Sequence, residues 1–378
     1  MKMRLIVMMM GRTVSTQGKF YNMQDLGLSK ALAGLEHKVS LYNFVEGTED
    51  TSCVINENLD VYYLHAKAIG THTFHDFDFI TPDIDAVICY SDNQLNYKKV
   101  WKKCNKNNVV LIPYIGVLGS HNRNPIITKL LDVLIPNNRY YKQQRVFAKT
   151  PEVKRQMLES GILDVVVAPA CLDIESVKQD YQDISKTEIK QELGFKQQEK
   201  VLLFIGRMIE EKWPLEIIDI FENIHKQSPD TKLVMIGKGQ LLEQVQDKIN
   251  NGNCKEKITL IPQINNSEIW KYYYAADVFI NLNRVEIFGM AILESMYYGC
   301  PVVARKAPGP EYILRDGETG YLCDNTVEVE ERVFEILNQD MSTLIGRAKQ
   351  RILNDFMWES TAKIVEKSVL ECMGKEKD

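Results

Sequence analysis

Short apolar runs alternate with helix-length periodic stretches from one end of the chain to the other, and no other feature narrows the fold as much. A first series of strand candidates comprises Arg4–Met10, Lys38–Tyr42, Val61–Leu64, Ala86–Tyr90, Val109–Tyr114, Val146–Ala148 and Val165–Ala168. A second comprises Val201–Ile205, Lys232–Ile236, Ile258–Ile261, Val278–Leu282, Pro301–Ala304 and Gly320–Leu322. Helical patterns such as Asn22–Leu35 and Pro214–Lys226 lie between them. Strands with little polar alternation, separated by helices, predict parallel sheets buried on both faces. The polar stretch from Asp173 to Gln197 carries no convincing strand and splits the series in two. A single closed barrel of strands and helices predicts neither that break nor a glycine-bearing strand-to-helix turn opening each half. The expected fold class is therefore α/β, with two Rossmann-like, doubly wound domains, and ligands are expected beyond the carboxyl ends of the strands.

The 378 residues, 45% apolar and 26% charged, have the proportions of an ordinary globular chain of two domains. Met3–Met10 and Val109–Leu118, the longest apolar runs, fall short of the roughly 18 to 20 residues that span a bilayer. The opening Met1-Lys-Met-Arg-Leu-Ile-Val passes straight into glycine and polar residues, which argues against a secretory signal. The eight cysteines show no C-x2-C spacing, so paired-thiolate zinc is not expected, and several sit in apolar runs as small hydrophobes. A cytoplasmic location is the expectation.

Charge is uneven. Residues 91–155 hold 13 Lys and Arg against 3 Asp and Glu, within a chain whose net charge is −5. Lys98, Lys99, Lys102, Lys103 and Lys106 flank Trp101. The ordinary reading is a solvated lysine face; the alternative is peripheral contact with a membrane or an anionic acceptor. The patterns of nucleic-acid-binding modules are missing, so no nucleic-acid partner is expected.

Three turns could carry chemistry. After the first strand, Gly11 and Gly18 bracket a loop whose backbone can approach a phosphate, followed by a helix start with free N–H groups. In Gly206-Arg207-Met-Ile-Glu-Glu-Lys212-Trp213-Pro214, a guanidinium and an ammonium share one short loop and can chelate a diphosphate. In Glu286-Ile-Phe288-Gly289-Met290-Ala-Ile-Leu-Glu294, one carboxylate precedes a helix start and the other lies within the helix. A carboxylate can accept from two vicinal ribose hydroxyls, and helix-start amides can meet a phosphate.

Glu286-x7-Glu294, with Phe288-Gly289 and the trailing Gly299-Cys-Pro-Val-Val, resembles the E-x7-E signature of GT4-type glycosyltransferases of the GT-B superfamily. Gly206-Arg207…Lys212 resembles that family's diphosphate loop, and Val234-Met-Ile-Gly237-Lys-Gly239 its glycine turn, with Gln240 in place of the usual proline. Tyr274-Ala-Ala-Asp277, Gly309-Pro-Glu311, Asp316-Gly317-Glu-Thr-Gly320 and Phe356-Met-Trp358 follow in the family's order. The likeness is strong over about residues 200–325 and weaker before. It implies an acceptor-side domain over 1–173, a donor-side domain over 174–350, a cleft between them, and a helix in 351–378 that crosses back onto the first domain. It also implies retaining transfer of a sugar from a nucleotide-sugar, most often a UDP-sugar, to a glycan, lipid-linked or small-molecule acceptor. Arg207 and Lys212 would hold the diphosphate, Glu294 the ribose, and Glu286 would sit beside the donor sugar, with Gly237 and the amides around Phe288–Met290 facing the donor. No metal or other cofactor is expected.

The departures from the pattern are specific. Many relatives place a histidine after a first-domain strand, where this chain has Tyr114 or Gly116; His121 is the candidate replacement. Trp213 stands where glycine usually follows the diphosphate lysine, and Asn281-Leu-Asn283 replaces a common Asn/Ser-Pro-Ser. Two rival functions share this architecture: a non-hydrolysing nucleotide-sugar epimerase and a non-catalytic nucleotide-sugar-binding protein.

Overall fold

The computed structural model describes residues 1–13, 23–45, 49–69, 72–118, 135–173 and 180–374. The chain divides into two compact units, Met1–Asp173 with Trp358–Asp378, and Ile174–Met357.

The first unit is built on β1 (Arg4–Thr13), β2 (Lys38–Val45), β3 (Thr51–Asn56), β4 (Leu59–His65), β5 (Lys67–Ile69), β6 (His72–Phe74), β7 (Ala86–Tyr90), β8 (Val110–Ile115), β9 (Val146–Ala148) and β10 (Val165–Val167). The main path runs β10-β9-β8-β7-β1-β2-β4-β3. Every pair on it is parallel except the edge pair, where β3 runs antiparallel to β4. β5 and β6 pair antiparallel beside it, and His72 of β6 bridges Gly11 of β1. The central strand β7 is buried at all five positions, as its unbroken apolar run predicts. β3 was not expected. Its residues are mostly exposed, and its one apolar run, Cys53-Val54-Ile55, is too short to announce an edge strand held by a single neighbour.

Trp358–Cys372 is a helix of this first unit and packs against the helix Gln24–Gly34. Gly27 makes that contact possible, because a Cβ there would stand 2.2 Å from the Trp358 indole nitrogen. Nearby, buried His37 accepts the Met3 N–H at Nδ1 (3.2 Å), and its Nε2 lies 3.1 Å from Glu366 of the same helix. Burial lowers the His37 pKa, against an opposing pull from Glu366. The unfolded chain therefore takes up this proton more readily, and the stability held above the ordinary histidine pKa of about 6.5 is lost as pH falls below it. Denaturant titrations at neutral and mildly acidic pH are expected to show that loss, and it shrinks in His37→Gln.

The second unit contains β11 (Lys200–Ile205), β12 (Thr231–Ile236), β13 (Ile258–Ile261), β14 (Val278–Asn281), β15 (Val302–Arg305) and β16 (Tyr321–Cys323), ordered β13-β12-β11-β14-β15-β16 and parallel throughout. This is the strand order of the dinucleotide-binding fold, and it reverses direction between β11 and β14. Helix Pro214–Gln227 buries Ile217, Ile218, Phe221 and Ile224 against the sheet's core. At the amino ends of the strands, burial alone would raise the Asp277 pKa. Lys186 (2.9 Å) and Lys190 (2.8 Å) outweigh it and hold the carboxylate below its ordinary range.

Candidate functional site

The two motif turns of the second half leave β11 and β14, the strands flanking the switch point, at their carboxyl ends. Close backbone packing fixes the first. The Gly206 N–H donates to Ile236 O (3.0 Å), Met208 N–H to Lys238 O (3.0 Å), and Leu241 N–H to Met208 O (2.9 Å), so the turns after β11 and β12 are tied together. Gly237 has φ +142°, and a Cβ there would lie 1.9 Å from Gly206 O. Only glycine permits that approach.

The Arg207 side chain is exposed at the strand end. Lys212 ends a short 3-10 turn, and its stem lies over Gly206, with Cδ 3.9 Å from where a Cβ would stand. Trp213 then takes a left-handed φ of +53° before Pro214 opens the next helix. For a bulky residue this backbone is strained, and the position is the one where the family resemblance expects glycine. The ring is held by its packing on the core and by Arg284, whose guanidinium carbon lies 4.2 Å from the ring centre.

The second turn is organised by asparagines. Asn281 Oδ1 accepts the Asn283 N–H (3.0 Å), and Asn283 Oδ1 accepts the Val285 N–H (3.1 Å), an Asx turn that bends the chain sharply off the strand. Asn283 Nδ2 donates to Glu286 Oε2 (3.1 Å), the same oxygen that pairs with Lys212 Nζ. The Gly309 N–H donates to Glu286 O (2.8 Å). Phe288 is buried, Gly289 turns with φ +108°, and Met290 begins the helix that carries Glu294, 6% exposed, one turn further on.

The sequence candidates Gly206, Arg207, Lys212, Gly237, Glu286, Phe288, Gly289, Met290 and Glu294 thus fall on neighbouring turns of one sheet, and the structure joins Lys212 to Glu286 directly. Gly11 lies in the other unit, at the carboxyl end of β1 beside that sheet's own switch point between β1 and β7. Gly18 and His121 lie outside the described residues. Sequence reasoning did not foresee Asn283 as the partner of Glu286, nor the Trp213–Arg284 stack. Arg305, 7% exposed at the end of β15, adds a further cation; its pKa is lowered first by burial and then by Arg284. Arg207, Lys212, Arg284 and Arg305 thus bring four cations to these strand ends, among the carboxylates Glu210, Glu211, Glu286 and Glu294.

Residues 185–350 match the family model described as Glycosyl transferases group 1. A relative from Bacillus anthracis, N-acetyl-alpha-D-glucosaminyl L-malate synthase, is 24% identical over 177 residues, 46% of each chain. Alpha-monoglucosyldiacylglycerol synthase of Streptococcus pneumoniae is 28% identical over 189 residues, 49% of this chain and 43% of its own. The chain thus spans about half the length of these curated relatives. Among solved structures, Anabaena HepE in complex with UDP superposes with a TM-score of 0.74 at 14% identity, covering 98% of this chain and 100% of that one. With the E-x7-E turn and the Gly206–Lys212 loop set on one sheet edge, these likenesses show that the chain has the GT-B fold and that its residues 185–350 match the glycosyl transferases group 1 family.

Proposed function

We propose that the protein is a retaining glycosyltransferase that moves a sugar from a nucleotide-sugar, a UDP-sugar, to an acceptor hydroxyl. The observation that carries this reading is the Lys212–Glu286 pair at the switch point, placed beside the glycine turns that a diphosphate can approach. In this reading Arg207 and Lys212 take the diphosphate, Glu294 the ribose hydroxyls and Glu286 a hydroxyl of the donor sugar. As the sugar–phosphate bond breaks, negative charge gathers on the leaving diphosphate, and cations already in place stabilise it without reorganising. Those cations supply the charge that a metal would supply, so the reading asks for none. The acceptor oxygen attacks from the face the diphosphate leaves, and its proton passes to the departing phosphate oxygen. The complex of HepE with UDP supports the choice of nucleotide only through the shared fold.

For the acceptor we propose a glycan, a lipid-linked molecule or a small hydroxylated compound, bound by residues of the first unit. Tyr97–Asn107 is a helix that buries Tyr97, Val100 and Cys104 and exposes Lys98, Lys99, Lys102 and Lys106. Trp101 is occupied, its ring 5.1 Å from that of Tyr140, while Leu95 just before the helix is 40% exposed. A cationic face of this kind makes a salt-sensitive contact with an anionic surface. Among the described residues no helix is long and apolar enough to cross a membrane.

Thermal unfolding with UDP, GDP or ADP tests the donor site. At 100 times its dissociation constant a ligand adds about 2.7 kcal/mol, which for a unit of this size is about 5–10 °C. UDP is expected to give that shift, and Glu294→Ala to lose most of it. An equal shift in the variant would move the ribose away from Glu294, and no shift with any nucleotide would sink the donor reading.

A further inference from the structure

The second unit carries a cavity of about 380 Å³ that shares no lining residue with the turns described above. Arg315, Glu318 and Thr319 line it on one side, and Arg347, Arg351 and Asn354 of the helix Ser342–Asp355 on the other, with Gln350 and Asp355 completing the wall. Three guanidiniums face one polar concavity, and their states differ. Arg351 is committed: Nε donates to Ile313 O (2.6 Å), one terminal nitrogen to Tyr312 O (2.9 Å), and the other to Asp355 Oδ2 (2.9 Å). Its pKa is lowered first by burial, and Arg315 pushes it the same way. The guanidiniums of Arg315 and Arg347 have no hydrogen-bond or ion-pair partner among the described residues. Thr319, buried, accepts the Arg315 N–H at 2.8 Å and so fixes the backbone from which that side chain projects.

Asp355 answers Arg351, Glu318 is the other carboxylate of the wall, and the two guanidiniums left without an ion-pair partner repel each other until an anion joins them. Paired forks favour a phosphate, which accepts bidentate hydrogen bonds from each. The rest of the wall is not suited to a bare phosphate. The Glu318 carboxylate would repel one, whereas Glu318, Gln350 and Asn354 are the groups that accept from and donate to hydroxyls. The volume lies within the range of small-molecule sites.

We propose that this pocket binds a phosphorylated polyhydroxy compound, a sugar phosphate in chemical class, with the phosphate on Arg315 and Arg347 and the hydroxyls on Glu318, Gln350 and Asn354. The site is independent of the donor reading. Its test is thermal unfolding and calorimetric titration of the full chain with glucose 6-phosphate, glucose and inorganic phosphate. Glucose 6-phosphate is expected to bind, more tightly than phosphate, with glucose inert. The Arg315→Ala, Arg347→Ala double variant, which removes two exposed side chains, keeps the unliganded melting temperature and weakens binding by about tenfold or more. Equal binding to wild type and the double variant would overturn the proposal. So would equal binding of phosphate and glucose 6-phosphate, or no binding up to about 10 mM. Glu318→Gln separates a charge effect from a fold effect: relieving the repulsion strengthens inorganic phosphate binding, and an unchanged phosphate affinity would count against the assigned pocket.

Discussion

Lys212→Ala is expected to lower kcat for sugar transfer by about 100- to 1000-fold, the cost of removing one prepositioned charge from a developing oxyanion, about 3–4 kcal/mol. The expectation follows from where Lys212 sits. Its stem lies over Gly206 and its ammonium meets Glu286, so the cation is fixed before any donor arrives. Stability gives the contrast. Both side chains are largely buried, 21% and 16% exposed, so the desolvation of the two charges offsets most of their attraction and the pair adds little net to folding. A large kinetic loss with a melting temperature changed by a few degrees at most identifies a group that acts on the transition state. The converse, a clear loss of stability with transfer retained within about threefold, would make the pair a structural tie. Without an identified acceptor the measurement is hydrolysis of each UDP-sugar, read as nucleoside diphosphate released. Glu286→Gln separates two further roles. Gln keeps an acceptor for Asn283 and for a sugar hydroxyl but removes the charge opposite Lys212, so a modest loss points to positioning and a loss as large as that of Lys212→Ala to electrostatics.

How much of this was legible in the sequence depended on burial. β7, buried at every position, reads as an apolar run and matches the expected Ala86–Tyr90 residue for residue, and the equally buried Val146–Ala148 does the same; the half-buried Ile258–Ile261 was also found, from its apolar composition alone. β3 faces water along nearly its whole length, its apolar Cys53-Val54-Ile55 included, and gives only a three-residue signal, and the three-residue strands β5 and β6 are too short for any periodicity to develop. At the site, residue types and local spacing announced Gly206-Arg207…Lys212 and Glu286…Glu294 separately. Their meeting was not readable, since Lys212 and Glu286 lie 74 positions apart and are joined only because β11 and β14 are neighbours. Asn283 could have been found: an asparagine two residues past a strand end, three before a site carboxylate, is the residue type that builds an Asx turn. The Trp213–Arg284 stack has no comparable local signature, because it depends on a strained backbone that a glycine-based pattern does not anticipate.

Gly237→Ala is expected to destabilise the second unit by at least about 2 kcal/mol and to lower its melting temperature by about 4–8 °C. Two independent costs act. The backbone at φ +142° lies where L side chains are rarely found, and the added methyl would stand 1.9 Å from Gly206 O, an atom that no rotamer change can move aside. Relief requires the turns after β11 and β12 to separate, and Gly206 N–H to Ile236 O and Met208 N–H to Lys238 O stretch with them. Since Arg207 and Lys212 ride on the first of these turns, the same methyl is expected to weaken UDP binding although it touches neither side chain. Gly346→Ala is the matched control. That glycine lies in the helix Ser342–Asp355 with nothing within 4 Å of an added Cβ, so alanine there stabilises by about 0.5–1 kcal/mol through helix propensity alone. Opposite signs for two Gly→Ala changes in one unit, read by the same denaturation curve, would show that contact with the Gly206 carbonyl is what glycine at 237 protects. Loss of UDP affinity without loss of stability would instead place residue 237 against the nucleotide, and no change in either would remove the turn from the site.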